Sequence, residues 1–254
     1  MPSRITINKS NRNKGETILK KTTKIIALVA FLSVTAAGAR QAHATSMLSI
    51  DDGTTFVTVT DNGVGDSNSL VGFINYSPIV SPFANFAAAV SLGTTKPLIG
   101  SADAPHLDLA SVNVNSYGAS ADMLTIKFTD TDFTDLAPVA TGFMSEIGGV
   151  TNGTVTYATY FDNSNAAFGT ATLLSNLGSF SGGAFSSSAY ASLASLSPAP
   201  ADPYSLTLVT TVAHSAGMGK ITSYNASVSV PEPGTLLLLG SGMLGFAFLK
   251  RRKG

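Results

Sequence analysis

From residue 46 to residue 230, apolar and polar side chains alternate with a period of two, in short runs separated by Gly, Asn, Asp, Ser and Pro. No other feature restricts the fold as much, because successive side chains of a strand point to opposite faces of a sheet. In residues 123–129, Leu124, Ile126 and Phe128 share one face, and Thr125, Lys127 and Thr129 share the other. Residues 56–60, 109–114, 154–161, 204–212 and 221–230 repeat the pattern. One buried face and one wet face predict a mainly β protein, an antiparallel β-sandwich. Residues 83–90 are rich in helix formers, yet Pro82 and Gly93 bound them so tightly that a strand fits equally well. Residues 175–203 are dominated by Ser, Ala, Gly and Pro, which predicts loose strands and long loops. No internal repeat is visible.

Both ends break this texture. A basic N-terminal stretch precedes an apolar run at residues 25–34, and small residues follow up to Ala42-His43-Ala44. That order predicts a secretory signal over residues 1–44, with a signal helix too short to span comfortably, and Ala42 and Ala44 framing the cleavage site. At the other end, Pro231 and Pro233 end the last strand, and residues 235–249 carry no charge. Fifteen helical residues reach about 22 Å, short of a hydrocarbon core of about 30 Å. The cluster Lys250, Arg251, Arg252 and Lys253 then predicts a stop-transfer signal that stays cytoplasmic behind a transmembrane helix. The domain organisation is therefore a signal peptide (1–44), a β-rich extracytoplasmic domain (45–230) and a tail (231–254).

The formal net charge of zero hides a segregation: +7 over residues 1–44, −10 over 45–230 and +3 from Pro231 onward. An acidic body repels phosphate backbones, so nucleic acid is not an expected partner. The chain has no cysteine, which closes thiol catalysis, thiolate-bound zinc and lipid attachment through an N-terminal Cys.

Val230-Pro231-Glu232-Pro233, the short apolar segment and the terminal basic cluster, taken together, resemble the PEP-CTERM sorting tail of exopolysaccharide-producing Gram-negative bacteria. The same tail is also labelled an ice-binding-protein C-terminal domain. The resemblance covers about the last 25 residues and implies processing near Pro231-Glu232-Pro233 by exosortase, a membrane enzyme of transpeptidase type. It implies a membrane-anchored intermediate and then transfer to the envelope or extracellular matrix. The body more loosely resembles β-rich ectodomains that carry this tail, a likeness that implies no activity.

Chemistry in the body is sparse by sequence. His106 and His214 are the only histidines after the signal, and neither sits in a G-x-S-x-G, H-E-x-x-H or phosphate-loop frame. No enzyme is expected. One cluster containing Asp61 and Asp66 and one containing Asp130, Asp132 and Asp135 place hard oxygens close together, as does Asp162-Asn163-Ser164-Asn165. They are candidate calcium ligands, the one cofactor the sequence raises, although Asp, Asn and Gly are also the ordinary residues of tight turns. Exopolysaccharide is a candidate partner. However, there is no Trp for an aromatic platform, and the seven tyrosines fall in or near expected strands, where they fill or edge a core. Thr54, Thr55, Thr58 and Thr60 do not recur at the fixed period an ice-binding face requires. The expectation is a structural or adhesive surface protein, with a glycan-binding module, calcium-assisted or not, as the alternative.

Overall fold

The structure, a computed structural model, describes residues 46–231 apart from 119 and 139. The alternating runs form ten strands: β1 (Met47–Asp51), β2 (Phe56–Thr60), β3 (Phe73–Tyr76), β4 (Phe86–Thr94), β5 (His106–Ser116), β6 (Asp122–Phe133), β7 (Gly142–Asp162), β8 (Thr172–Ser192), β9 (Tyr204–His214) and β10 (Ile221–Ser229). Apart from one 3-10 turn at Leu193–Ser195, no helix occurs among the described residues. The ambiguous run at 83–90 resolves as β4. The signal and tail helices expected from the sequence lie outside the described residues.

All pairings are antiparallel, and the strand order is β2-β1-β6-β9-β7-β10-β5-β4-β3, with β8 added beside β7. One continuous sheet thus replaces the two separate sheets of the expected sandwich. The cause is the length of β7. Its first half, from Met144 to Thr151, pairs with β10, and its second half, from Thr154 to Asp162, pairs with β9. One 21-residue strand therefore belongs to both halves of the sheet.

The sheet folds back on itself around one core. Gly93 of β4 lies so close to β6 that a Cβ there would sit 3.3 Å from the Phe128 ring. The Phe86 ring of β4 meets His214 of β9 at a centroid distance of 5.7 Å. Two polar clasps join the residues flanking β4 to β6 across this core. Asn85 Nδ2 donates to Asp122 Oδ2 at 2.8 Å at one end, and Lys96 Nζ donates to Asp130 Oδ2 at 2.9 Å at the other. Leu48, Ile50, Phe128, Val212, Leu109 and Val228 are among the fully buried side chains drawn from both halves. Closure is nearly complete because the link between β2 and β3 ties down the sheet's two ends. Asp61 Oδ2 accepts the Gly72 N–H at 2.6 Å, and Asp66 Oδ1 accepts the Asn75 N–H at 2.9 Å.

Strand β8 departs most from the sequence expectation. Residues 175–203 read as loose strands and loops, yet Thr172–Ser192 pairs with β7 over nearly its whole length. A partner strand supplies ladder hydrogen bonds whatever the weak propensity of Gly and Ser. Kinks in the two strands coincide. Asn152-Gly153 of β7 falls where the pairing with β8 shifts register, opposite the positive-φ residues Gly182 and Gly183. The stacked rings of Phe180 and Phe185, 4.9 Å apart, bridge that kink.

Candidate functional site

The sorting motif begins where the sheet ends. Ser229 is the last residue of β10, paired with His106 and Met144. The next residue, Val230, packs on the core and donates its N–H to the Pro105 carbonyl at 2.9 Å, and Pro231 is exposed. Glu232, Pro233, Lys250, Arg251, Arg252 and Lys253 lie outside the described residues, as do Ala42 and Ala44. No flexible spacer separates the last ladder from the motif.

Of the candidate calcium carboxylates, Asp61 and Asp66 stand near each other, bridged by Asn62, and Asp162 accepts from Ser164 within its own turn. Asp61 and Asp66 hold the link between β2 and β3. Besides Asn75, Asp66 accepts the N–H of Asn68 and of Asn62. Asp130 is buried with Lys96 and also accepts from Thr95 Oγ1 at 2.8 Å and from the Thr131 N–H. Burial pushes the Asp130 carboxyl up and the Lys96 amine down, each against the pull of its partner. Lys96 also lies over the Phe133 ring, 3.8 Å from its centroid. Asp132 exchanges hydrogen bonds with Asn165, at 2.9 Å from its N–H and 2.8 Å to Oδ1, and Asp135 is exposed. Most of these oxygens hold turns and bulges in shape. Among the described residues, no group of three or more His, Asp or Glu is placed to hold a metal ion.

A more open arrangement lies on the outer face of β5, β10, β7 and β8. The register places Asp108, Ser227, Glu146 and Ser188 side by side across these four strands. The next row holds Asn225, Gly148 and Ser186. Together they line a shallow groove of about 640 Å³. Gly148 forms open floor, since a Cβ there would meet nothing closer than 3.7 Å. Asn225 faces the groove by the regular alternation of β10, and a β-bulge lies beside it: Ala110 and Ser111 of β5 stand opposite the single residue Asn225. Ser111 has φ 54°, and its N–H donates to Asn225 Oδ1 at 2.7 Å. Burial raises the Asp108 carboxyl, with His106 pulling the other way. Two carboxylates, an amide and serine hydroxyls thus converge on one surface, a donor and acceptor set suited to hydroxyl-rich ligands.

Sequence reading missed this groove because its residues come from four strands and meet only through register. One signal was legible. The alternation slips by one position between Leu109 and Val112, both fully buried, and that slip marks the bulge. The two histidines lie on different strands, His106 on β5 and His214 on β9. His214 is buried, its Nε2 lies 2.8 Å from Thr222 Oγ1, and burial lowers its basicity. Among the tyrosines, Tyr76, Tyr157, Tyr204 and Tyr224 are buried, whereas Tyr117 and Tyr190 are substantially exposed.

Solved structures with some resemblance include the carbohydrate-binding module TmCBM61 in complex with β-1,4-galactotriose. It has 8% identity, covers 59% of this chain and 90% of its own, and has a TM-score of 0.29. A family 29 carbohydrate-binding module shows 9% identity, 74% and 89% coverage, and a TM-score of 0.24. The enzymatically active domain of bacteriophage CBA120 tailspike protein 4 shows 13% identity, 58% and 20% coverage, and a TM-score of 0.29. At these scores no ligand or activity passes from them to this chain. No match is found among curated proteins. The tail is different: residues 229–253 match the PEP-CTERM protein-sorting motif, from the last residue of β10 to the terminal basic cluster. The chain therefore carries a PEP-CTERM protein-sorting motif at residues 229–253.

Proposed function

We propose that this chain is an exported surface or matrix protein of a Gram-negative bacterium, with a non-catalytic β body that has a structural or adhesive role. The signal peptide directs export and is removed after Ala44. The segment 235–249 holds the chain in the inner membrane, with Lys250–Lys253 on the cytoplasmic side. An exosortase-type enzyme then cuts near Pro231-Glu232-Pro233 and passes the body to the envelope. One observation carries this reading: the sorting motif starts on the last residue of β10, so the folded body ends where the tag begins. The test is mass spectrometry of the protein recovered from membrane and medium of its host. A mature C-terminus near Pro233 is expected, and an intact Gly254 in every fraction would overturn the reading.

A second reading is favoured by the outer groove. Asp108, Glu146, Asn225 and the serines of β8 offer hydrogen-bond partners to a neutral polysaccharide, while two carboxylates disfavour an anionic one. Affinity electrophoresis in the host's own polysaccharide tests it. Retardation that Glu146→Gln with Asn225→Ala removes supports binding, and unretarded migration of the unaltered protein rejects it.

A further inference from the structure

The open edge of β8 is the feature that the sorting reading leaves unused. A long strand with unpaired backbone N–H and C=O groups is a template for adding another strand, and proteins ordinarily guard such edges with charge, proline, bulges or brevity. The other two ends of the sheet are guarded in this way. Strand β2 has five residues, flanked by Asp51, Asp52 and Asp61. Strand β3 has four residues, and the Asn75 carbonyl and N–H are taken by Ser67 and Asp66.

Strand β8 has 21 residues and pairs only with β7. It contains no charged residue and no proline, and the charge-free segment around it runs from Asn163 to Ala201. Its one guard is the kink at Gly182-Gly183, beyond which residues 184–192 are regular. There Phe185, Ser187, Ala189 and Ala191 point inward, and Ser186, Ser188 and Tyr190 point outward.

We propose that residues 184–192 are a homodimerisation edge, in which β8 pairs antiparallel with β8 of a second copy about a twofold axis through Ser188. Charge selects the occupant. The body carries a net charge of −10, so copies repel each other over most of their surface, and this segment brings no charge to the contact. The self-register also places large residues against small ones: Phe185 faces Ala191, and Tyr190 faces Ser186. The nearest acids, the two Glu146 side chains, would stand three strands apart. That is about 14 Å at ordinary strand spacing, beyond a screening length of roughly 8 Å. Such pairing would extend the sheet from one molecule into the next. It stands on β8 alone and does not depend on how the tail is processed.

The absence of native cysteine makes a direct test possible. At the twofold position the two Ser188 Cα atoms would lie about 4.5–5.5 Å apart, within the span of a disulfide. The full-length S188C chain, oxidised in its host's envelope, is expected to shift from monomer to dimer mass on a non-reducing gel. T58C, on the exposed face of β2, is expected to stay monomeric. A monomeric S188C, cross-linking of S188C to a different protein instead of itself, or equal dimerisation of T58C would each overturn the proposal. In detergent-solubilised full-length protein, S188K is expected to sediment as monomer and S188T to keep the dimer. A dimeric S188K would also overturn it, and the cysteine result decides alone should S188K fail to fold.

Discussion

Lys96 and Asp130 form the one ion pair among the described residues, with side chains only 3% and 0% exposed. Desolvation outweighs the pairing for both groups, so neither charge is comfortable without the other. Asp130→Asn alone strands an ammonium beside Phe133, and Lys96→Met alone strands a carboxylate. Each is expected to cost about 3–5 kcal/mol in urea unfolding. In the double variant the amide oxygen, in the Oδ1 position, still accepts the Thr131 N–H, while the amide NH2, in the Oδ2 position, donates to Thr95 Oγ1, and most of that loss is expected to return. A residual deficit equal to the sum of the single losses would show that the two residues act independently. His214 gives the residue-scale prediction for pH. Burial, aided by nearby Lys220, lowers its folded pKa below the ordinary value of 6.5. The unfolded chain therefore binds the proton first, and stability falls as pH drops through 6.5 toward the lowered folded value. Above 6.5 the contribution is fully present. His214→Gln, which can still bond Thr222, is expected to flatten this part of a Tm-against-pH curve. An unchanged slope would place the titration elsewhere.

Among the elements, β7 explains why the sheet is single, and Gly153 explains how β7 can turn between its two partners. A Cβ at Gly153 would lie 2.2 Å from the Ala213 carbonyl oxygen and 2.5 Å from His214 Cδ2. The first of these is backbone and cannot swing aside. Gly153→Val is expected to lose about 2–3 kcal/mol by urea unfolding, while Gly148→Ala, whose Cβ would make only ordinary contacts, should stay within about 0.5 kcal/mol. Equal losses would mean that strand propensity, not close approach, decides both. The same residues show where sequence reading stopped. Alternation gave the places of β2, β5, β6, β9 and β10 because each buries one face, and Leu124, Ile126 and Phe128 are indeed fully buried. The run Gly148-Gly149-Val150-Thr151-Asn152-Gly153 has the composition of a turn, yet β7 continues through it with only a kink at Asn152-Gly153. Local propensity could not reveal this, because neighbours on both edges hold Gly148 to Thr151 extended. For the same reason the groove was out of reach: Asp108 and Glu146 become neighbours only through β10.

For the molecule as a whole, the question is whether body and tail are physically separate. The tail motif was legible as an ordered string of four residues, an apolar run and a basic cluster, none of which needs a fold to be recognised. The contacts argue that the body does not need the tail in return. Val228 is fully buried and paired with both Leu107 and Ser145, whereas the final contact described is the Val230 N–H to the Pro105 carbonyl. A stop codon after Val230 therefore keeps every β10 ladder bond. That truncated chain is expected to melt within a degree or two of the full-length protein and to move from the membrane fraction to the soluble one. A stop after Ser223 removes Tyr224, Ala226 and Val228 from the core. Burial at about 25 cal/mol per Å² makes that a loss of several kcal/mol, comparable to the whole stability of a domain this size. The shorter chain is expected to be degraded or aggregated, which fractionation and a thermal melt would both register. If the Val230 stop unfolded as well, the tail would be part of the fold and not a detachable tag.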